Sequence, residues 1–313
     1  MSIAVLSIGS FPEATNAELA RRFAVTRFLE QPAPAVIPAE LRAQVRGIAV
    51  EANRGANRAL IATLSQLEMI SVFGVGTDLI DLAAARERGI KVSNTPGILG
   101  DEVADLAIAL MLASARQVVL GDQYVRDGSW ARHGPIRLGR SVGGKTMGVV
   151  GLGDIGRAIA DRGAAFKMRV LYHGPRRKPN VPYAFVGDLV ELARESDYLM
   201  VACKGGPETH HLVSGPVIDA LGPSGTLINV ARGTVVDEPA LIGALFAGRL
   251  GWAALDVFEN EPTPSPELLR LPNVIVQPHH GSGTVETRTA IGQLMIDNLA
   301  AHFAGKPLLT PLP

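Results

Sequence analysis

Met147-Gly148-Val149-Val150-Gly151-Leu152-Gly153-Asp154-Ile155-Gly156 is the stretch on which the fold turns. An apolar run, Met147 to Val150, leads into the pattern G-x-G-x-x-G, and Ala158, Ile159 and Phe166 carry on as a helical pattern. With 34 glycines in the chain, the glycine pattern alone is weak. Preceded by a strand and opening a helix, it reads as a phosphate-binding turn rather than a plain glycine-rich joint. Gly151 permits the tight turn, Gly153 lets the backbone approach a pyrophosphate, and Gly156 lets the helix pack closely on the strand. The helix N-terminus adds N–H groups and positive potential for the anion.

Downstream, apolar runs alternate with amphipathic stretches, the pattern of α/β layers. The runs Thr146–Val150, Arg169–Tyr172, Tyr198–Ala202, Thr226–Val230, Trp252–Val257 and Val274–Gln277 predict strands, and Ile155–Phe166, Leu189–Glu195, Pro216–Leu221 and Glu238–Ala247 predict helices between them. Six strands in such a series is the count of a dinucleotide-binding fold. Upstream lies a smaller series. Its strands are Ile3–Ile8, Arg46–Val50, Met69–Phe73 and Ile90–Val92, and its helices Ala17–Phe23, Asn57–Leu64 and Leu79–Arg88. Between the two series, the stretch from Asp101 to Tyr124 is apolar around nearly its whole circumference at Ala107–Ala113, which predicts burial on all sides. The segments Asp127–Trp130 and His133–Pro135 read as an irregular connection, and a last helix is predicted from Thr284 to Phe303.

The chain has 313 residues, above the ~250–300 at which single cores stop growing, so two domains are expected. Thirty basic residues balance thirty acidic ones, which gives no general attraction to nucleic acid or to an anionic membrane. The single cysteine, Cys203, excludes an intrachain disulfide and a cysteine-cluster metal site, and fits a reducing compartment. The apolar run Ile3–Ile8 is too short for a signal peptide, and the apolar helix contains Asp105, so a cytoplasmic protein outside the membrane is expected.

The strand after the glycine turn should end beside an adenosine ribose, where an acidic residue would bind the 2′-hydroxyl of NAD. The sequence there is Tyr172-His173-Gly174-Pro175-Arg176-Arg177-Lys178, without a carboxylate. Guanidinium groups pair with a phosphate and an acid would repel it, so NADP(H) is favoured, with NAD(H) possible and a solvated basic loop as the alternative. Three later strands run into ionisable residues: Asn229-Val230-Ala231-Arg232-Gly233, Asp256-Val257-Phe258-Glu259-Asn260-Glu261-Pro262, and Pro278-His279-His280-Gly281-Ser282. The carboxyl ends of parallel strands line the ligand crevice, so the three can converge. Arg, carboxylate and His beside a nicotinamide suggest hydride transfer coupled to proton transfer. The Arg would hold and polarise a carbonyl substrate, and the His would supply the proton, with the carboxylate favouring the imidazolium.

Taken together with Gly74-Val75-Gly76-Thr77-Asp78 and Val92-Ser93-Asn94-Thr95-Pro96, these motifs make the chain resemble the D-isomer-specific 2-hydroxyacid dehydrogenases over nearly its full length. Gly281-Ser282-Gly283-Thr284-Val285-Glu286-Thr287-Arg288 and Lys306-Pro307-Leu308-Leu309-Thr310-Pro311 are most similar to the NADPH-dependent glyoxylate/hydroxypyruvate reductases and the plant hydroxyphenylpyruvate reductases. The resemblance implies a flavodoxin-like substrate domain (1–98 plus 284–313) and an inserted Rossmann, doubly wound parallel-sheet cofactor domain (99–283). It implies Arg232, Glu261 and His279 as catalytic residues, and the N–H groups of Val75 and Gly76, with Arg232, as substrate-binding ones. Gly151, Gly153, Asp154, Ile155, Gly156, Arg176, Arg177, Ala231, Asp256 and Gly281 fall to the cofactor. Cys203 is either a cofactor contact or a small buried residue. The implied activity is NADPH-dependent reduction of glyoxylate and hydroxypyruvate to D-2-hydroxyacids, in a homodimer and without a metal. The alternatives are an aryl-pyruvate reductase and a dinucleotide-sensing binding protein. Trp130 is a candidate for reaching a partner's site, against ordinary packing. His280 and Lys204-Gly205-Gly206 depart from the pattern usual in relatives, so roles there are not carried over.

Overall fold

The computed structural model describes residues 2–312. They form two compact units: residues up to Leu99 with those from Gly283 onward, and Gly100–Ser282. The chain changes unit one residue later, and returns one residue earlier, than the expected limits.

The first unit contains β1 (Ala4–Ile8), α1 (Glu13–Arg22), β2 (Ala24–Phe28), α2 (Ala39–Arg42), β3 (Val45–Glu51), α3 (Arg58–Thr63), β4 (Met69–Phe73), α4 (Leu82–Glu87) and β5 (Lys91–Ser93). Its sheet is wholly parallel, in the order β2-β1-β3-β4-β5, which is the flavodoxin-like order. A sheet covered on both faces needs contiguous apolar strands, and Leu6, Ile48, Val50, Ile70 and Val72 are fully buried. Two helices start on side-chain caps that satisfy otherwise orphaned N–H groups: Asn57 accepts from Leu60 N and Asp81 from Ala84 N. The strand β2 lies outside the strands the apolar pattern predicts. It is a half-exposed edge strand, and its Thr26 and Arg27 interrupt the apolar run.

The second unit contains α5 (Gly100–Ala115), α6 (Val118–Arg126), α7 (Ser129–His133), β6 (Thr146–Val150), α8 (Asp154–Ala165), β7 (Arg169–His173), β8 (Ala184–Phe185), α9 (Leu189–Glu195), β9 (Tyr198–Val201), α10 (Gly215–Leu221), β10 (Thr226–Asn229), α11 (Glu238–Phe246), β11 (Trp252–Leu255), α12 (Pro266–Leu269) and β12 (Val274–Val276). The sheet order is β12-β11-β10-β9-β6-β7-β8, all parallel. The order reverses between β6 and β9, the switch point at which such sheets bind nucleotides. Leu192, Leu199, Val201, Leu227 and Ala253 are fully buried between the layers, and each such Leu contributes about 1.5–3 kcal/mol. The last helix, α13 (Val285–Phe303), belongs to the first unit and packs on β4, where Ser71 Oγ donates to Met295 O.

Three expectations change. The apolar stretch after Asp101 is two helices, broken at Gln117, which takes a left-handed φ of 54°. Nor is α5 buried all round: Asp105 and Ala109 are exposed and Leu106, Leu112 and Ala113 half-buried, because only part of its circumference meets α8 and the strands. The connection expected to be irregular contains the short helix α7. Among the described residues, no single helix is long and apolar enough to cross a membrane, and α5 with α6 reach that length only as a pair bent by 58°.

Candidate active site

Three neighbouring strands assemble the ionisable cluster. Asn229 at the end of β10 lies beside Leu255 of β11, which lies beside Val276 of β12. The chain therefore leaves all three strands on one edge of the sheet, and short runs lead to Arg232, Glu261 and His279.

His279 Nδ1 lies 2.7 Å from Glu261 Oε2. The other oxygen, Oε1, accepts from Phe258 N at 3.1 Å. Burial would raise the Glu261 carboxyl. The hydrogen bond and charge of His279, the Phe258 N–H and the Arg232 guanidinium outweigh it, and the group is held below the usual carboxylate range. An ionised Glu261 makes Nδ1–H the donor.

Asp256, buried just past β11, fixes the turn that carries the histidine. Its carbonyl accepts from His279 N at 2.8 Å, and its carboxylate accepts from His280 N at 2.6 Å and Gly281 N at 2.8 Å. Burial pushes its own carboxyl upward, against the pull of those N–H groups and of His279. His279 takes a left-handed φ of 51°, a conformation that a non-glycine residue holds only where its surroundings impose it.

Arg232 is shaped by residues to which motif reading assigned no role. The buried Asn229 side chain accepts from Ala231 N and donates to Arg232 O, both at 3.0 Å, while Arg232 Nη1 donates to Ala231 O at 2.8 Å. A Cβ on Gly205 would sit 2.6 Å from Arg232 Cγ, so the glycine leaves room for the arginine stem. A Cβ on Gly233 would sit 1.8 Å from the Phe258 carbonyl carbon, so that glycine lets the arginine loop lie on the loop carrying Glu261. Glu238, also buried, accepts from Glu259 N at 3.1 Å. Only Asn229 left a local signal, as a polar residue closing an apolar strand.

On the other side of the switch point, the glycine turn has the shape a dinucleotide needs. Gly151 has a φ of +91°, and a Cβ there would lie 2.5 Å from Cys203 Cα. A Cβ on Gly156 would lie 1.9 Å from Gly151 O, whereas one on Gly153 would meet nothing within 4 Å. Gly153 therefore opens a cradle at the start of α8, where it adds no capping side chain and where Asp154 and Ile155 begin the helix. The turn fits a pyrophosphate. Burial pushes the Cys203 thiol up to about 11, so it stays protonated at neutral pH. Arg176 and Arg177 are exposed on the loop after β7, which starts beside the glycine turn through Gly151 N–H to His173 O, 2.9 Å. The Tyr172 hydroxyl anchors that loop by accepting from Lys178 N at 2.7 Å.

The structure thus brings Arg232, Glu261, His279, Asp256, Ala231 and Gly281 to one edge of the second unit's sheet, and the glycine turn with Cys203 to the same edge. Val75 and Gly76 lie in the first unit, just past β4, in a turn held by Thr95 Oγ1 accepting from Gly74 N at 3.0 Å and by Asn94 Nδ2 donating to Val75 O at 2.8 Å. His280 and Trp130 are exposed.

Residues 108–281 match the model of the D-isomer specific 2-hydroxyacid dehydrogenase NAD binding domain. The chain is 47% identical over 311 residues to the hydroxyphenylpyruvate reductase of Plectranthus scutellarioides, covering 99% of each chain. It is equally, 47%, identical over 311 residues to the glyoxylate/hydroxypyruvate reductase A of Arabidopsis thaliana, again covering 99% of each. The NADPH-dependent glyoxylate/hydroxypyruvate reductase of Sinorhizobium meliloti, solved with NADP and malonate, superposes with a TM-score of 0.94 at 39% identity, covering 100% of this chain and 97% of that one. The chain belongs to the D-isomer specific 2-hydroxyacid dehydrogenases.

Proposed function

We propose that the protein reduces small 2-ketoacids, glyoxylate and hydroxypyruvate foremost, to D-2-hydroxyacids, with NADPH as the reductant and His279 as the proton donor. The observation that carries this reading is the 2.7 Å pair of His279 and Glu261, with the charge of Arg232 acting on the same carboxylate. The turn Gly151–Gly156, with Asp154 and Ile155, would hold the dinucleotide, and the chemistry that group would supply is a hydride for the substrate carbonyl. Arg232 holds the ketoacid and offsets the charge that grows on the carbonyl oxygen. His279, its Nδ1–H taken by Glu261, presents Nε2 to that oxygen and delivers the proton. The N–H groups of Val75 and Gly76 are assigned to the substrate carboxylate, as successive amides of a glycine-containing turn. Ala231, Asp256 and Gly281 are assigned to the cofactor's nicotinamide end, Cys203 to its contact beside the glycine turn, and Arg176 and Arg177 to the 2′-phosphate. Exposed Val118, Val119, Val125 and Trp130 on α6 and α7 support a homodimer, and the lone cysteine supports a cytoplasmic location.

The test is a kinetic panel of NADPH and NADH against glyoxylate, hydroxypyruvate, pyruvate and 4-hydroxyphenylpyruvate. The last substrate is included because one of the 47%-identical relatives is a hydroxyphenylpyruvate reductase. Preference for NADPH and for the two small substrates is expected, and His279→Ala should reduce turnover by at least about 100-fold while NADPH still binds. Near-normal turnover in that variant removes the mechanism. A preference for 4-hydroxyphenylpyruvate replaces the substrate assignment, and dinucleotide binding without turnover of any ketoacid replaces the enzyme with a sensor.

A further inference from the structure

His210, His211 and Glu259 bring one ligand atom each to within 4.8 Å of one another, outside the residues assigned above. His211 Nε2 lies 3.1 Å from Glu259 Oε1, and the two imidazoles stack with centroids 4.0 Å apart and planes inclined by 25°. Two of the three are held in place by the backbone. His211 has a left-handed φ of 51° and its N–H donates to Thr234 O at 2.8 Å, while the Glu259 N–H is held by the buried Glu238. His210 is exposed, and the His211 and Glu259 side chains are 32% and 27% exposed, so a fourth position opens to water.

We propose that His210, His211 and Glu259 form a binding site for a divalent transition metal of the zinc class, with water as the fourth ligand. The geometry needs little adjustment. Bonds of about 2.0–2.2 Å to nitrogen and oxygen in a tetrahedron set neighbouring ligand atoms roughly 3.3–3.6 Å apart. The His211–Glu259 separation is 3.1 Å, so a metal can take the place of the shared proton after an opening of a few tenths of an ångström. His210, exposed at the surface, closes the remaining gap by rotating its side chain. Two imidazoles with one carboxylate select zinc, nickel or copper over calcium and magnesium, which take oxygen ligands. The cluster shares no residue with the His279–Glu261 pair, and it departs from the expectation of a metal-free chain.

The experiment uses the full-length protein after exhaustive dialysis against chelator, titrated with zinc by calorimetry and with cobalt while visible absorption is recorded. One zinc per chain is expected, with a tetrahedral cobalt spectrum and no displacement by magnesium or calcium. His210→Asn, at an exposed position where folding is not at stake, and Glu259→Gln should each weaken binding by about ten-fold or more. His279→Asn should leave stoichiometry and affinity unchanged. Absence of zinc binding at micromolar concentration overturns the proposal, as does unchanged affinity in His210→Asn and Glu259→Gln. Loss of the ion in His279→Asn instead places it on the catalytic pair and overturns the proposal equally.

Discussion

Glu261→Gln removes a charge while leaving volume and packing almost unchanged, so it isolates what the carboxylate does for His279. Glu261 accepts twice, from His279 Nδ1 at 2.7 Å and from Phe258 N at 3.1 Å. Glutamine has one acceptor oxygen. If it serves the imidazole, the amide nitrogen faces the Phe258 N–H. If it serves Phe258, the amide nitrogen donates to Nδ1, so Nδ1 cannot hold a proton and the ring stays neutral instead of forming the imidazolium that delivers the Nε2 proton. A hydrogen bond to a charged group is worth about 1.5–3 kcal/mol, or about 10- to 150-fold in rate at 1.4 kcal/mol per decade. The Coulomb attraction of two unit charges 4 Å apart, about 4 kcal/mol near a protein surface, is the ceiling. The side chains are 30% and 25% exposed, so solvent screening keeps the effect below it. The expected result is a fall in kcat/KM for glyoxylate of about 10- to 150-fold with unchanged affinity for NADPH, because the substitution leaves the glycine turn proposed to cradle the pyrophosphate untouched. A second reading comes from stability against pH. The Glu261 carboxyl is lowered in the folded protein, so its contribution is present above the unfolded glutamate range and is lost as pH falls through the folded value. Denaturation curves of wild type and variant should therefore lie furthest apart at neutral pH and converge in acid. Wild-type kcat/KM in the variant, or a stability gap that stays constant into acid, refutes the pairing as the device that equips His279.

Gly153 and Gly156 separate binding from folding. Gly153→Ala meets no protein atom within 4 Å, so its unfolding free energy should stay within about 0.5 kcal/mol of wild type while the dinucleotide Kd rises at least several-fold. Gly156→Ala places a methyl group 1.9 Å from Gly151 O and should cost about 1–3 kcal/mol or more, read from chemical denaturation. Gly233→Ala drives a Cβ to 1.8 Å from the Phe258 backbone, so it should lower both the thermal midpoint and kcat, and a variant with either at wild-type level contradicts the close packing of the loops that carry Arg232 and Glu261. The double substitution Arg176→Ala with Arg177→Ala should lower kcat/KM with NADPH by about ten-fold or more, the loss of one or two charged hydrogen bonds, and leave NADH values near wild type. Equal losses with both cofactors would assign the two arginines to something other than the 2′-phosphate.

How much of this was legible in the sequence follows from where each feature is encoded. Strands covered on both faces must be contiguously apolar, so β1, β3, β4 and most of the second sheet announce themselves locally. The edge strands β2 and β8 lack that constraint and leave no apolar run in the sequence: one carries Thr26 and Arg27, and the other is only Ala184–Phe185. The glycine turn is equally local, because strand, turn and helix follow one another within a few residues. The charged cluster is only half local. That Arg232, Glu261 and His279 each follow an apolar run is visible in the sequence, but the register that sets Asn229, Leu255 and Val276 side by side is a property of the assembled sheet. What supports the cluster is less visible still. Glu238 accepts from Glu259 N across 21 residues, and Gly205 and Gly233 matter for the side chain and backbone they allow close, not for any atom of their own. Such residues carry no chemistry that a motif can display. A glycine chosen for close approach and a buried acid chosen to hold one N–H look like loop filler until the loops are folded together.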